Sequence, residues 1–205
     1  MIGVLNIGMG NLRSVENAVY QIGFDPLVVQ DGGRFDDLTH LIVPGVGNFG
    51  AAMPAIESMG LRQPILDFVK SGRPLLGACL GMQIMLTSGE ESGENQGLGL
   101  IAGKVKLLRP GPAFRVPHVG WNELSIKFPH PVFARLKNGR DFYFVHSYAA
   151  QCEAPEDVLG TTDYGGPVAA VIGHANVIGF QFHPEKSQVN GLRLIENFCN
   201  WDGQC

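Results

Sequence analysis

Apolar residues fall along this chain in two patterns. In the first half, short unbroken runs alternate with stretches where apolar positions recur every three or four residues. Ile2 to Ile7 (IGVLNI) is a run closed by glycine, with the length and β-branching of a buried strand. Leu12, Val15, Val19 and Ile22 follow at helical spacing, and Gly23 stops them. Leu27–Val29 and Leu41–Val43 predict further strands, as does the PLLGA run at Pro74–Ala78. Phe49–Ser58 and Pro64–Ser71 read as helices, the second with proline at a first helical position.

Strand and helix in alternation predict an α/β fold, with a parallel sheet covered by helices on both faces. The second half changes character. Val105–Leu108, Asp141–Val145, Val168–Ile172 and Val177–Phe182 read as strands with little helix between them. The stretch VAAVIGHANVIGFQF predicts a hairpin with a four-residue loop, Gly173–Asn176. A last helix is expected over Leu192–Phe198. The sheet is therefore expected to be mixed, parallel first and antiparallel later. No internal repeat or linker interrupts the pattern, so residues 1–205 are expected to form one domain.

Composition narrows the partners. With 45% hydrophobic and 17% charged residues, the chain has ample material for a packed core. A formal charge of −4 gives no electrostatic reason to expect nucleic acid or an anionic membrane. Apolar runs end well before the roughly 20 residues of a spanning helix. The opening MIGVLNIGMGN lacks the basic region of a signal peptide. Cys79, Cys152, Cys199 and Cys205 are scattered, with no C-x-x-C or H-E-x-x-H spacing, so no metal site is expected and a cytoplasmic location fits. GMGN at Gly8–Asn11 lacks the third glycine and the acidic ribose partner of a dinucleotide fingerprint.

Gly77-Ala78-Cys79-Leu80-Gly81 lies between a strand and a predicted helix. It is the thiol counterpart of the G-x-S-x-G elbow, where flanking glycines allow close approach and the nucleophile sits on a strained turn. There a helix N-terminus favours thiolate, and the Leu80 N–H points toward a developing oxyanion. The alternative is an ordinary buried cysteine. GFQFHPEKS adds a base: an apolar strand ends in His183, and Glu185 lies two residues on, past Pro184. A cysteine nucleophile needs such a base, and the base needs an anion to hold its tautomer.

G-x-C-x-G-x-Q followed by strand-H-P-E resembles the class I glutamine amidotransferases. That resemblance implies a flavodoxin-like, mostly parallel sheet and hydrolysis of the glutamine side-chain amide through a γ-glutamyl thioester. Cys79 is then the nucleophile, His183 the general base and acid, and Glu185 its orienting partner. No metal or cofactor is implied.

Within that class, PGVG (Pro44–Gly47), GMGNLRSV, PHVGWN (Pro117–Asn122), FYFVHSY (Phe142–Tyr148) and GLGLI (Gly97–Ile101) resemble the glutaminase subunits of imidazole glycerol phosphate synthase. The resemblance implies L-glutamine as substrate and, as partner, a (β/α)8-barrel cyclase subunit of histidine biosynthesis that receives the ammonia. It implies glutamine binding by Gly45, Gln83, Glu91, Ser147 and Tyr148, with Glu90 and Glu94 as alternatives to Glu91. It implies a partner face at Met9, Asn11, Trp121, Tyr143 and Lys186. For those last three the bland alternative is two core aromatics and a solvated lysine. Many relatives carry Asp-Tyr where this chain has Asn6-Ile7. A glutaminase serving another synthase, such as one amidating an N-acetylated sugar, shares the same motifs. A stand-alone thiol hydrolase and an inactive binding module are the readings outside the class.

Val46 sharpens the expectation. The second oxyanion donor is expected from the turn of Gly45, Val46 and Gly47, where related domains often carry glycine at the position of Val46. A β-branched side chain resists positive φ. The resting turn is thus expected to face the wrong way until a partner engages.

Overall fold

The computed structural model describes residues 1–204. The first half alternates β1 (Ile2–Leu5), α1 (Leu12–Gln21), β2 (Pro26–Val29), β3 (His40–Val43), α2 (Phe49–Ser58), α3 (Arg62–Lys70), β4 (Leu75–Ala78) and α4 (Leu80–Gln83). The second half is β5 (Leu86–Gly89), β6 (Asn95–Gln96), β7 (Ile101–Leu107), β8 (His118–Ile126), β9 (Arg140–His146), β10 (Tyr148–Cys152), β11 (Val158–Asp163), β12 (Pro167–His174) and β13 (Val177–Phe180), closed by α5 (Gln188–Asn200).

Nine strands form the main sheet in the order β2-β1-β3-β4-β13-β12-β11-β8-β9. Pairing is parallel from β2 through β4 to β13, and antiparallel beyond it. A smaller sheet, β10-β7-β5-β6, lies apart in the pairing. The parallel strands read as continuous apolar runs because helices cover both faces. Leu41, Val43, Leu75 and Val177 pack with Phe49, Ile56, Ile65 and Phe68 of α2 and α3. Their neighbours Ile42, Leu76 and Ile178 face the other way, onto Val15 and Val19 of α1 and Leu194 and Phe198 of α5. The α/β mixed sheet is the one expected.

Several details depart from the sequence reading. β1 ends at Leu5 because the Asn6 side chain turns back to accept from the Gly8 N–H at 2.9 Å. α3 starts at Arg62, so Pro64 is its third residue rather than its first. The hairpin loop has two residues, not four: Gly173 pairs with Ile178 and His174 with Val177, while Ala175 takes φ 51°. The strand read as Val105–Leu108 is a longer one, Ile101–Leu107. β8 went unread because Gly120, Asn122 and Glu123 break its apolar alternation.

Candidate active site

Cys79 sits where β4 hands over to α4. Its φ of 53° and ψ of −108° are strained for a residue with a Cβ, a state that costs about 1–3 kcal/mol and persists only when neighbours enforce it. The Cys79 N–H donates to the Phe180 carbonyl at 2.7 Å and pins the turn to β13. Gly77 and Gly81 leave the room: a Cβ on Gly77 would run into the Gly81 carbonyl, and one on Gly81 into the Val43 carbonyl. Gly81→Ala is therefore expected to destabilise the fold by about 3 kcal/mol, at the upper end of overpacking costs. Thermal unfolding should read this as a drop of roughly 6–12 °C. An unchanged midpoint would mean that β3 and α4 can separate freely.

The helix after the elbow is shorter than expected. α4 makes a single turn, with Gln83 N–H on the Cys79 carbonyl and Ile84 N–H on the Leu80 carbonyl. A macrodipole builds up over several turns, so α4 contributes little of the expected pull on thiolate. The burden shifts to His183.

His183 lies three residues past the end of β13. Its backbone N–H donates to the Tyr143 carbonyl at 2.9 Å, and its own carbonyl accepts from the Ser187 hydroxyl at 2.6 Å. The Nδ1–H donates to Glu185 Oε1 at 2.9 Å, with side chains only 3% and 4% exposed. Nε2 is buried without a protein partner at hydrogen-bond geometry and is left for the Cys79 sulfur. Burial alone would lower the imidazole pKa. The Cys79 sulfur and the Glu185 carboxylate outweigh it and raise it to about 9. The direction of that shift favours the protonated ring.

A cavity of about 350 Å³ opens over these groups, lined by Cys79, His183, Val46, Gly47, Gln83, Glu91, Ser147 and Tyr148. Of the three candidate acids, Glu91 alone lines it. Its Oε2 accepts from the Phe49 N–H at the start of α2, at 2.7 Å. Glu90 instead holds the Leu107 N–H at 2.7 Å, and Glu94 lines a separate depression. A larger groove of about 510 Å³ lies elsewhere, and none of Cys79, His183 and Glu185 reaches it.

The oxyanion side is closed to a substrate oxygen. The Leu80 N–H donates to the Gly45 carbonyl at 3.3 Å, so the expected donor is already occupied. Gly47 lies at φ 122°, whereas Val46 is not among the residues at positive φ. Gly10 packs against this turn, 3.4 Å from the Gly45 Cα to where its own Cβ would stand. Met9 reaches Gly47, and Asn11 caps α1 by accepting from the Ser14 N–H at 3.4 Å.

Trp121 and Tyr143 are a cross-strand pair of β8 and β9, with ring centroids 5.9 Å apart. Trp121 is 46% exposed, and the Lys186 ammonium lies 5.9 Å from the Tyr143 ring centroid. Trp121 is thus not a core residue, whereas Tyr143 is half-buried and Lys186 is exposed. Val119, Val116 and Phe114 add exposed apolar area nearby in sequence.

Sequence reasoning missed the polar groups behind the cavity. His146 lines it and donates from Nδ1 to the Tyr148 carbonyl at 2.9 Å. Its Nε2 then accepts from His118 Nδ1 at 3.0 Å, across the β8–β9 register. Burial pushes both rings down to about 4 and keeps them neutral, as this donor–acceptor order requires. The His118 ring lies between Phe144 and Tyr164, at centroid distances of 4.8 and 3.9 Å. Both histidines stand inside motifs quoted above, but only the strand pairing brings them together.

Chemically, this arrangement suits acyl transfer through sulfur, with a carboxylate-held histidine to move the proton. The sequence profile of the class-I glutamine amidotransferases matches residues 4–200. The chain is 44% identical to the imidazole glycerol phosphate synthase subunit HisH of Desulfitobacterium hafniense, over 98% of this chain and 94% of that one. It is 43% identical to the HisH subunit of Sulfurimonas denitrificans, over 98% of both. A solved glutamine amidotransferase shares its fold at TM-score 0.77 and 21% identity, over 97% of both chains. PurLQS from Thermotoga maritima does so at 0.75 and 18%, again over 97% of both. The chain belongs to the class I glutamine amidotransferase family, in its branch of imidazole glycerol phosphate synthase HisH subunits.

Proposed function

We infer that this protein hydrolyses L-glutamine and passes the ammonia to a cyclase subunit, as the glutaminase half of imidazole glycerol phosphate synthase in histidine biosynthesis. The observation that carries the reading is Cys79 on a strained elbow, in one cavity with a histidine whose far nitrogen is held by Glu185. The Cys79 sulfur attacks the side-chain amide carbonyl, and His183 gives its proton to the departing nitrogen. Ammonia leaves, and Cys79 holds a γ-glutamyl thioester. His183, now neutral, takes a proton from water, whose oxygen adds to the thioester and expels the sulfur with glutamate. Glu91 supplies the anion for the α-ammonium, while Gln83, Ser147, Tyr148 and the Gly45 backbone position the amino-acid head.

The partner surface is the stripe of Trp121, Tyr143 and Lys186, together with Met9 and Asn11 beside the oxyanion turn. A (β/α)8-barrel cyclase docked there sits over the cavity. No helix among the described residues is long and apolar enough to cross a membrane, and Cys79, Cys152 and Cys199 are free thiols, which fits a cytoplasmic enzyme. The test is to measure glutamate release and imidazole glycerol phosphate formation with a histidine-pathway cyclase added. Failure to bind or feed that cyclase, with ammonia delivered to another synthase instead, would replace this assignment.

The occupied Leu80 N–H makes the free subunit a slow enzyme. Turning the Gly45–Val46 peptide frees that donor and adds a second, but Val46 opposes the turn. A non-glycine residue in the left-handed region costs roughly 1–2 kcal/mol, so Val46→Gly is expected to raise unstimulated glutamine turnover by about 5- to 30-fold. An unchanged basal rate would place the barrier elsewhere than at Val46.

A further inference from the structure

Directly behind the nucleophile lies a side chain that no motif assignment uses. Gln181 is fully buried, two residues before His183, and a buried amide must find partners for both its oxygen and its N–H groups. The network fixes which way it points. The Tyr148 carbonyl is an acceptor only, so Gln83 must present Nε2 to it, at 2.9 Å. The other N–H of that Nε2 then meets Gln181 Oε1 at 3.3 Å. With its oxygen engaged, Gln181 turns Nε2 toward Cys79 Sγ, 4.0 Å away.

We propose that Gln181 is a further catalytic residue, whose amide N–H stabilises negative charge on the Cys79 sulfur from the side opposite the substrate. This rests on Cys79 being the nucleophile. As a neutral thiol, Sγ donates to the Val145 carbonyl at 3.9 Å. Once the proton is gone, that carbonyl offers nothing, and the sulfur needs donors. His183 supplies one and Gln181 the other, while the single turn of α4 supplies little. Gln181 and His183 stand two apart in the bend beyond β13, and both side chains approach the Cys79 sulfur. The charge is thus gripped by a cation that leaves with the proton and by a neutral donor that stays. The staying donor also serves the step that expels sulfur from the thioester, which begins with His183 neutral and taking its proton from water. Gln83 and the Tyr148 carbonyl act as positioning groups for the amide.

Two variants of the full chain test this through the rate of Cys79 alkylation by iodoacetamide at fixed neutral pH, read on the peptide that contains Cys79. Iodoacetamide makes no use of the glutamine-binding groups. Gln181→Met conserves volume and removes the donor. It should slow alkylation about ten- to a hundred-fold, the span for hydrogen bonds to charged groups, and lower kcat in the cyclase complex while KM for glutamine changes little. Gln181→Glu keeps the acceptor that Gln83 needs but sets an anion against the sulfur, and should be slower still. If Gln181 merely braced Gln83, the Glu variant would match the parent. The Met variant would then raise KM with its alkylation unchanged. Either result in a protein with a parental unfolding midpoint overturns the proposal. A parent whose Cys79 resists both iodoacetamide and an electrophilic glutamine analogue would instead sink the nucleophile assignment itself.

Discussion

His183→Ala is expected to lower glutamine hydrolysis by at least about 10³- to 10⁴-fold, the share general acid–base catalysis supplies when nucleophile and base act as a unit. The ring does two things that alanine cannot. Its pKa, lowered by burial but raised more by the Cys79 sulfur and the Glu185 carboxylate to about 9, favours the protonated ring beside the sulfur. In the proposed mechanism it then carries the proton to the leaving nitrogen. Both depend on Glu185, whose Oε1 fixes Nδ1 at 2.9 Å and leaves Nε2 for the reaction. Labelling of Cys79 by a diazoketone analogue of glutamine should fall in parallel, whereas cyclase binding should survive, because the His183 side chain is buried while Trp121 stands exposed. Loss of turnover with undiminished labelling would confine His183 to the proton-donation step.

Adding cyclase together with a ligand of the cyclase acceptor site should raise glutamine turnover by about 100- to 1,000-fold, the worth of one oxyanion donor. The resting geometry gives the reason. Gly45 points its carbonyl at the Leu80 N–H over 3.3 Å, a long bond that holds the donor without holding it tightly. Gly10 lies against Gly45 and Val46, and Met9 reaches Gly47, so pressure on the β1–α1 loop bears directly on the turn. Steady-state turnover of the subunit alone, with cyclase, and with cyclase plus ligand separates the contributions. Full activity in the isolated subunit would remove the need for any such turn.

The parallel half of the fold was legible because strands buried on both faces must be apolar throughout, and Ile42 or Leu76 has no polar alternative. β8 was not. Its outward residues Val119 and Trp121 are apolar while Gly120 and Asn122 interrupt, which inverts the pattern of a half-buried strand. The hairpin loop was misjudged because Gly173 invites a turn, yet Ala175 adopts the left-handed backbone and Gly173 stays in the ladder. In the site, Cys79, His183 and Glu185 could be named as candidates because each sits in a short linear motif. The choice of Glu91 over Glu90 and Glu94 was not, since it depends on which acid the turn at Ser92, φ 60°, directs to the start of α2. Gln181, His118 and His146 act through partners 28 to 102 positions away, and no local spacing encodes that.

One backbone connection carries a pharmacological consequence. Tyr143 shows its ring on the surface beside Trp121, while its carbonyl holds the His183 N–H at 2.9 Å and its own N–H donates to Ser187 Oγ at 3.0 Å. The proposed docking face and the proposed base are thus linked through Tyr143, directly to the His183 N–H and by way of Ser187, whose hydroxyl donates to the His183 carbonyl. A small molecule that seats on the Trp121–Tyr143 ledge and shifts the Tyr143 backbone is expected to disturb His183 without entering the cavity over Cys79.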